Sequence, residues 1–219
     1  KNMEQKLFDT IISDIKNDSF FTEYKYKKSE NMLYHREGNS TLFVELDHWQ
    51  DYGECIIYII YGRRFDILTK WFEKFSFKSL RDQRNNPDVM CDNTYFGQEE
   101  YIYFDYRFSD YKVKMGKMLP MIKENLTSFA RKYSTMEDYY KEDVLPIITN
   151  ERELPDVGAD WIFIYLTLGY LVDRENYNIL KKIILERVEW MHSRGEPNIE
   201  HYYSKMEEII TYMEKNVKL

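Results

Sequence analysis

Residues 31–61 read Asn-Met-Leu-Tyr-His-Arg-Glu-Gly-Asn-Ser-Thr-Leu-Phe-Val-Glu-Leu-Asp-His-Trp-Gln-Asp-Tyr-Gly-Glu-Cys-Ile-Ile-Tyr-Ile-Ile-Tyr, and this stretch decides the fold class. Its apolar residues alternate with a period of two, which is the signature of strands. Residues 31–36, 41–49 and 54–61 read as three strands of a meander. Glu37-Gly38-Asn39-Ser40 is the first hairpin turn, because Gly and Asn tolerate the positive φ that such turns need. Closing the chain on that turn pairs Tyr34 with Phe43 and Leu33 with Val44. One face then carries Leu33, Leu42, Val44 and Leu46. The other carries Tyr34, Phe43, Glu45, Asp47 and Trp49. Asp51-Tyr52-Gly53 makes the second turn. Cys55–Tyr61 is apolar on both faces, so both faces of the sheet are expected to be at least partly covered.

Outward from the meander the period becomes helical. Met3, Leu7, Phe8, Ile11, Ile12 and Ile15 form one stripe of an amphipathic helix that ends near Asn17-Asp18-Ser19. Asp66–Lys78 reads as a helix with Asp66 as N-cap and Ile67, Leu68, Trp71, Phe72 and Phe75 on one side. Residues 79–98 read as the longest irregular stretch, of the kind that is often functional or mobile. A fourth strand is expected over Glu100–Phe108.

From residue 111 the pattern is helical to the end. Lys112–Tyr133 reads as one helix, broken or started at Pro120. Ser134-Thr135-Met136-Glu137 reads as a capping box opening a helix to about Thr149, interrupted at Pro146. Pro155 and Asp156 are read as starting the helix of Trp161, Ile164, Tyr165 and Leu168. Asp173 is read as N-cap of the helix of Ile179–Met191, which Gly195 stops, with Pro197 beyond. A last helix carries Ile199 through Met213. The fold class is therefore α+β: a small antiparallel sheet of about four strands flanked by helices, followed by an all-helical C-terminal part. The expected division is residues 1–132, α+β, and residues 133–219, helical, the latter packed on the sheet or separate from it.

Charge sharpens this division. The chain of 219 residues has a net charge of −7. Residues 1–132 hold 21 Lys and Arg against 21 Asp and Glu, whereas residues 133–219 hold 10 against 17. Such an acidic surface repels phosphate backbones, so nucleic acid is not an expected partner. It serves solubility, and it attracts a basic protein. Trp161–Val172 and Cys55–Tyr61 are the longest apolar runs, both shorter than the ~20 residues of a membrane span, so no membrane association is expected. Cys55 and Cys91 form no Cys-x-x-Cys pair and no disulfide framework, which fits a reduced cytoplasmic setting. Position 1 is Lys, so the compartment stays open.

Candidate chemistry is sparse. His35, His48, His192 and His201 lack the i, i+4 spacing of a helical zinc site, and no metal or cofactor is expected. His48 lies beside Asp47 and Trp49, where acid–base work is conceivable. Glu45, Asp47 and Asp105 alternate correctly for one sheet face, and carboxylates in an apolar cleft have separated pKa values suited to hydrolysis. Glu45, Asp47 and His48 are thus the candidate catalytic set of a small hydrolase. Arg63-Arg64 follow Gly62 without a Gly-rich phosphate loop and read as ion-pairing residues. Lys25, Lys27 and Lys28 interleave with Tyr24 and Tyr26, a pattern that can stack and pair with RNA, but with only three lysines in a neutral half the favoured reading is a solvated strand edge.

The run Phe8…Ile12…Ile15…Phe20-Phe21…Lys25-Tyr26-Lys27-Lys28…Leu33-Tyr34-His35-Arg36 resembles a bacterial family known only as domain of unknown function number 4304. Its members open with an amphipathic helix, then Phe and lysines, then an aromatic-Arg strand and a meander. Ser19 stands where that family has Gly. The likeness covers residues 4–62 and implies no activity. In size, acidity and α+β layout the chain is similar to bacterial toxin-immunity proteins, an analogy of fold class alone. The leading expectation is a non-enzymatic protein-binding protein whose acidic helical surface meets a basic protein. The alternative is the small hydrolase.

Overall fold

The computed structural model describes residues 3–156 and 158–219 and is α+β, with an antiparallel sheet and a helical C-terminal part. In chain order the elements are α1 (Met3–Asn17), β1 (Lys25–Lys27), β2 (Met32–Glu37), β3 (Ser40–Asp51), β4 (Glu54–Phe65), α2 (Asp66–Thr69), α3 (Leu80–Asn85), β5 (Val89–Asp92), β6 (Tyr101–Asp105) and α4 (Tyr111–Lys132). The helices α5 (Met136–Tyr139), α6 (Leu145–Ile148), α7 (Ala159–Val172), α8 (Tyr177–Ser193), α9 (Pro197–Tyr203) and α10 (Met206–Asn216) follow. Contacts divide the chain into two units, one of residues 1–64 and 89–132, the other of residues 65–88 and 133–219.

The first unit is built on the sheet. Its strand order is β1-β2-β3-β4-β5, with β6 also paired to β4. The hairpin register is the expected one, Leu33 opposite Val44 and Tyr34 opposite Phe43. Gly38 turns the hairpin at φ 58°, where a Cβ would be strained. β5 and β6 share the outer edge of β4, since Ile60–Arg63 pair with β5 and Glu54–Tyr58 with β6.

Strand pleat sorts the side chains into two faces. On one, Leu33, Val44, Leu46, Cys55, Ile57, Ile59 and Tyr61 are almost wholly buried. Leu7, Phe8, Ile11, Ile12 and Ile15 of α1 belong to the same core, as do Met115, Met118, Ile122, Leu126 and Phe129 of α4. Each such side chain contributes about 1.5–3 kcal/mol on burial. A polar knot sits inside this core. Tyr61 donates to Asn93 Oδ1 at 2.9 Å, and Asn125 donates to Tyr61 Oη at 3.1 Å and exchanges bonds with Gln98. Outer bonds join α1 and its following turn to α4: Tyr111 to Asp14 at 2.5 Å and Lys123 to Asp18 at 3.1 Å.

The second unit has α7 at its centre. Ten of its 14 residues are buried, which suits a helix apolar all round. Gly169 lets α8 approach, because a Cβ there would lie 2.5 Å from Leu180 Cδ2. Segment 65–78 packs against α7 through Trp71, whose Nε1 donates to Thr167 Oγ1 at 3.1 Å, and Phe72, stacked on Phe163 at 4.4 Å. Tyr202 of α9 donates to Asp160 at 2.7 Å. Glu214 of α10 accepts from Tyr177 and Lys181, both at 2.8 Å.

Several expected boundaries move, each for a local reason. The helix expected over Asp66–Lys78 stops at Thr69, whose φ of −122° leaves the helical region, and resumes as a 3-10 turn at Lys70–Phe72. Its N-cap is Phe65, not Asp66. Residues 79–98 are not irregular. Ser79 caps α3 by accepting from Asp82 N–H, and Val89–Asp92 pairs with β4. The fourth expected strand is shorter, Tyr101–Asp105. Pro120 does not break α4, because the carbonyl it leaves unbonded belongs to Gly116, and both residues lie on the exposed side. The capping box is formed by Thr135 and Asp138, one residue beyond the expected pair. Ahead of Pro146 the helix widens into a π turn, Tyr140–Val144. α7 starts at Ala159 rather than at Pro155, and α8 is capped at Asn176 rather than Asp173. Asp173 instead accepts from Asn176 and from Tyr140. The last helix breaks at Ser204-Lys205 into α9 and α10.

Gly62 of β4 lies directly against the Phe43 ring. A Cβ there would lie 2.3 Å from Phe43 Cζ. Gly62→Ala therefore lowers stability by about 1–3 kcal/mol, read as a drop in the urea midpoint. In a Phe43→Ala background the same substitution costs much less. Equal costs in both backgrounds would remove the contact as the cause.

Candidate functional site

The pleat divides the three candidate catalytic residues. His48 shares the α1 side with Leu46 and stacks on Phe8 at 3.7 Å and 8°. Its Nε2 is 4.0 Å from Glu4, and its Nδ1 is buried without a hydrogen-bond partner among the described residues. Burial lowers its pKa, while Glu4, Asp47 and Asp9 pull the other way. Glu45 and Asp47 lie on the opposite face with Trp49, as strand alternation requires. The sheet thus brings the two carboxylates together and turns the imidazole away from them.

The Glu45 carboxyl is half-buried and pushed up to about 7, first by burial and then by the negative charges of Asp47 and Glu30. The rings beside it form an aromatic surface. Trp49 meets Tyr101 edge-on at 5.4 Å, and Tyr58 lies 5.8 Å from Tyr101. Tyr58 donates to Asp92 at 2.9 Å. Asp105, the third carboxylate expected on this face, accepts from Ser109 and from Arg107 N–H, which hold its pKa low.

The other groups singled out in the sequence lie apart from this face's carboxylates or are engaged within the fold. Arg63 is buried, 2.7 Å from Glu37 and 2.9 Å from Ser40 Oγ. Lys25 and Lys27 lie on β1, the edge strand. His35 faces Glu23, and His192 stacks on Tyr203 and contacts Glu200 at 2.5 Å. His201 lies edge-on to Phe77. Among the described residues, no group of three His, Cys, Asp or Glu is placed to hold a metal ion, and no helix is long and apolar enough to cross a membrane.

The acidity belongs to the second unit. It holds 15 Lys and Arg against 21 Asp and Glu, whereas the first unit holds 16 against 17. Part of that charge rims a groove of about 920 Å³ between the chain after α6 and the outer side of α8. Ile147, Leu154 and Ile183 line its apolar part. Glu151, Glu153, Asp156 and Glu186 are exposed at its rim. Asn150, at φ 59°, turns the chain out of α6 and starts this loop. Two arginines also line the groove, and both are engaged: Arg187 donates to the Leu154 carbonyl at 2.8 Å and Arg152 to that of Asp143 at 2.9 Å. Trp190, 46% exposed, closes one end, with the guanidinium groups of Arg187 and Arg194 about its ring. An apolar floor, an acidic rim and an exposed Trp suit a segment with both apolar and basic side chains. The charge count makes the acidity visible in the sequence. The groove was not visible there, because α8 meets the 150–156 loop only in space.

Comparison with protein-family models, curated proteins and solved structures finds no match.

Glu45 carries a pH signature. The folded chain holds a proton on it between pH 4.5 and about 7 that the unfolded chain has released. The folded state therefore binds more protons in this window, and stability falls as pH rises through it. Glu45→Gln stays neutral throughout. Above pH 7 the variant is more stable than the parent by about 1 kcal/mol, a figure discounted for partial exposure, and below pH 4.5 the two converge. Urea melts at pH 4, 6 and 8 read this difference, and parallel pH profiles would show that Glu45 titrates normally.

Proposed function

We propose that this protein is a non-enzymatic, immunity-like protein-binding module, and that the groove of its helical unit receives a basic segment of a partner protein. The observation that carries this reading is the groove itself. Four exposed carboxylates, Glu151, Glu153, Asp156 and Glu186, surround an apolar floor, and the two lining arginines already donate to backbone carbonyls. Partner lysines and arginines would meet the rim, and partner aliphatic groups would displace solvent from Ile147, Leu154 and Ile183. Trp190 supplies the kind of large amphipathic ring that dominates binding energy at interfaces. The negative balance of the unit favours encounter with a positive protein and disfavours phosphate backbones.

Capture from the native host's lysate tests this reading. The full chain is expected to retain a basic protein in stoichiometric amount at about 50 mM salt and to release most of it at about 500 mM, since screening shortens the Debye length. A quadruple variant, Glu151→Gln, Glu153→Gln, Asp156→Asn and Glu186→Gln, is expected to lose at least about tenfold in affinity for that protein. Trp190→Ala is expected to weaken binding with its salt dependence preserved. Retention of the same protein by the quadruple variant would refute the groove as the site, and an empty capture would refute the reading.

A further inference from the structure

The first unit has a recognition surface of its own, independent of the groove. We infer that the sheet face turned away from α1 is a docking site for arginine side chains of an extended polypeptide. Its carboxylates are Glu45 and Asp47 on β3, Glu54 on β4, Asp92 on β5 and Asp105 on β6; the β4–β6 register puts Glu54 opposite Asp105. Its rings are Trp49, Tyr58, Tyr101 and Tyr103, with Tyr58 opposite Tyr101 and Ile56 opposite Tyr103. Of the cations, Lys25, Lys27 and Arg36 lie on β1 and β2 and Arg64 at the far end of β4, while Arg107 and Lys114 flank the Asp105 end, away from Glu45 and Asp47 on β3.

Three features select an arginine over another occupant. The first is charge. Glu45, Asp47 and Glu54 make no side-chain hydrogen bond or ion pair among the described residues, so their oxygens can accept from a guanidinium. The second is ring geometry. Trp49 and Tyr101 meet at 80°, which makes an open corner with a π face on one side, and Trp49 and Tyr103 are each 40% exposed. A planar guanidinium stacks on such a face and still directs N–H groups toward a carboxylate, which an ammonium cannot do as well. The third is spacing. Asp47 and Trp49 are alternate residues of one strand, so their side chains stand about 7 Å apart, a repeat that matches alternate side chains of an extended partner.

Glu45 gives the site a pH dependence. The groups around it are Glu30 and Lys27 on the β1–β2 side, Asp47 on its own strand, and Asp92 on β5 beyond β4. Its raised pKa comes from burial and from the negative charges of Asp47 and Glu30. A guanidinium placed against Asp47 relieves that repulsion, so Glu45 releases its proton and binding tightens as pH rises through about 7.

The test uses the full chain and two short peptides, acetyl-Arg-Ser-Arg-Ser-Arg-amide and its lysine counterpart, titrated by calorimetry at about 50 mM salt. The arginine peptide is expected to bind about fivefold or more tighter than the lysine peptide. Asp47→Asn and Trp49→Leu, both at exposed positions, are expected to weaken the arginine peptide by about fivefold or more each. Affinity is expected to rise several-fold from pH 6 to pH 8 in the parent, and Glu45→Gln is expected to flatten that rise. Glu186→Gln in the groove should leave this binding unchanged, which separates the two surfaces. Equal affinity for the two peptides, or loss on Glu186→Gln with none on Asp47→Asn, would overturn the assignment. Circular dichroism melts confirm that each variant is folded, and an absence of heat with folded parent protein would overturn it as well.

Discussion

Strand β4 sets the constraint that the first unit obeys. Cys55, Ile57, Ile59 and Tyr61 are wholly buried on the α1 side, and Ile56 is 4% exposed on the other. A strand this apolar on both faces cannot lie at an edge, because an edge would also leave its backbone donors and acceptors unpaired. β4 is accordingly paired on both sides, by β3 on one and by β5 and β6 end to end on the other. The demand for full pairing explains why so short a strand as Val89–Asp92 exists at all. It also explains the polar knot. Tyr61 is the one β4 core residue with a hydroxyl, and it is satisfied by Asn93, which follows β5, and by Asn125 of α4. The polar atom that the strand buries is thus used to fix the element that pairs it with the helix that covers it.

What the sequence made legible follows the range of the interactions involved. α1, the meander and the Tyr34–Phe43 register are encoded by residues within about ten positions of one another, and periodicity with Gly38 suffices to find them. β5 is different. Val-Met-Cys-Asp has no alternation to speak of, and its strand character comes from residues 60–63. Just past the break at Thr69, Trp71 bonds Thr167, 96 positions away, a contact that local periodicity does not contain. Capping errors have another origin. Ser134 and Thr135 are equally able hydroxyl caps, and the choice of Thr135 rests on which residue three positions on, Glu137 or Asp138, can fold back to the cap's own N–H. The Ser79-x-x-Asp82 cap that marks α3 lies inside the stretch read as irregular, because the helix it opens is too short to show a period.

The acidic groove was legible only as a sum. Counting charges places the excess in the C-terminal half, but a count does not distinguish carboxylates that are consumed from those that are free. Glu214 and Asp160 are consumed: each is tied into the unit by tyrosine and lysine partners. Their charge stabilises helix packing and offers little to a partner. Glu151, Glu153, Asp156 and Glu186 remain exposed beside apolar floor residues, Glu151 accepting from Thr149 Oγ1 alongside. The proposed recognition surface is therefore a subset of the acidity, selected by which helices present tyrosine hydroxyls inward.

The fate of Glu45, Asp47 and His48 turns on strand geometry. Consecutive residues of a strand face opposite ways, so Asp47 and His48 cannot both enter one cleft without a bulge between them. His48 is held by Phe8 in a parallel stack, and its neighbour Glu4 lies on α1. Burial that lowers the imidazole pKa then favours the neutral ring, which is what an apolar contact with Phe8 requires. Across the sheet the physics is reversed. Burial first, and then the negative charges of Asp47 and Glu30, raise the Glu45 pKa, and that repulsion has a cost in the free protein. A binding surface can carry such a cost where a catalytic acid would need a base within reach: the strain in the carboxylate cluster is released when a cation arrives, so the repulsion that weakens the fold at high pH is the same interaction that would strengthen recognition.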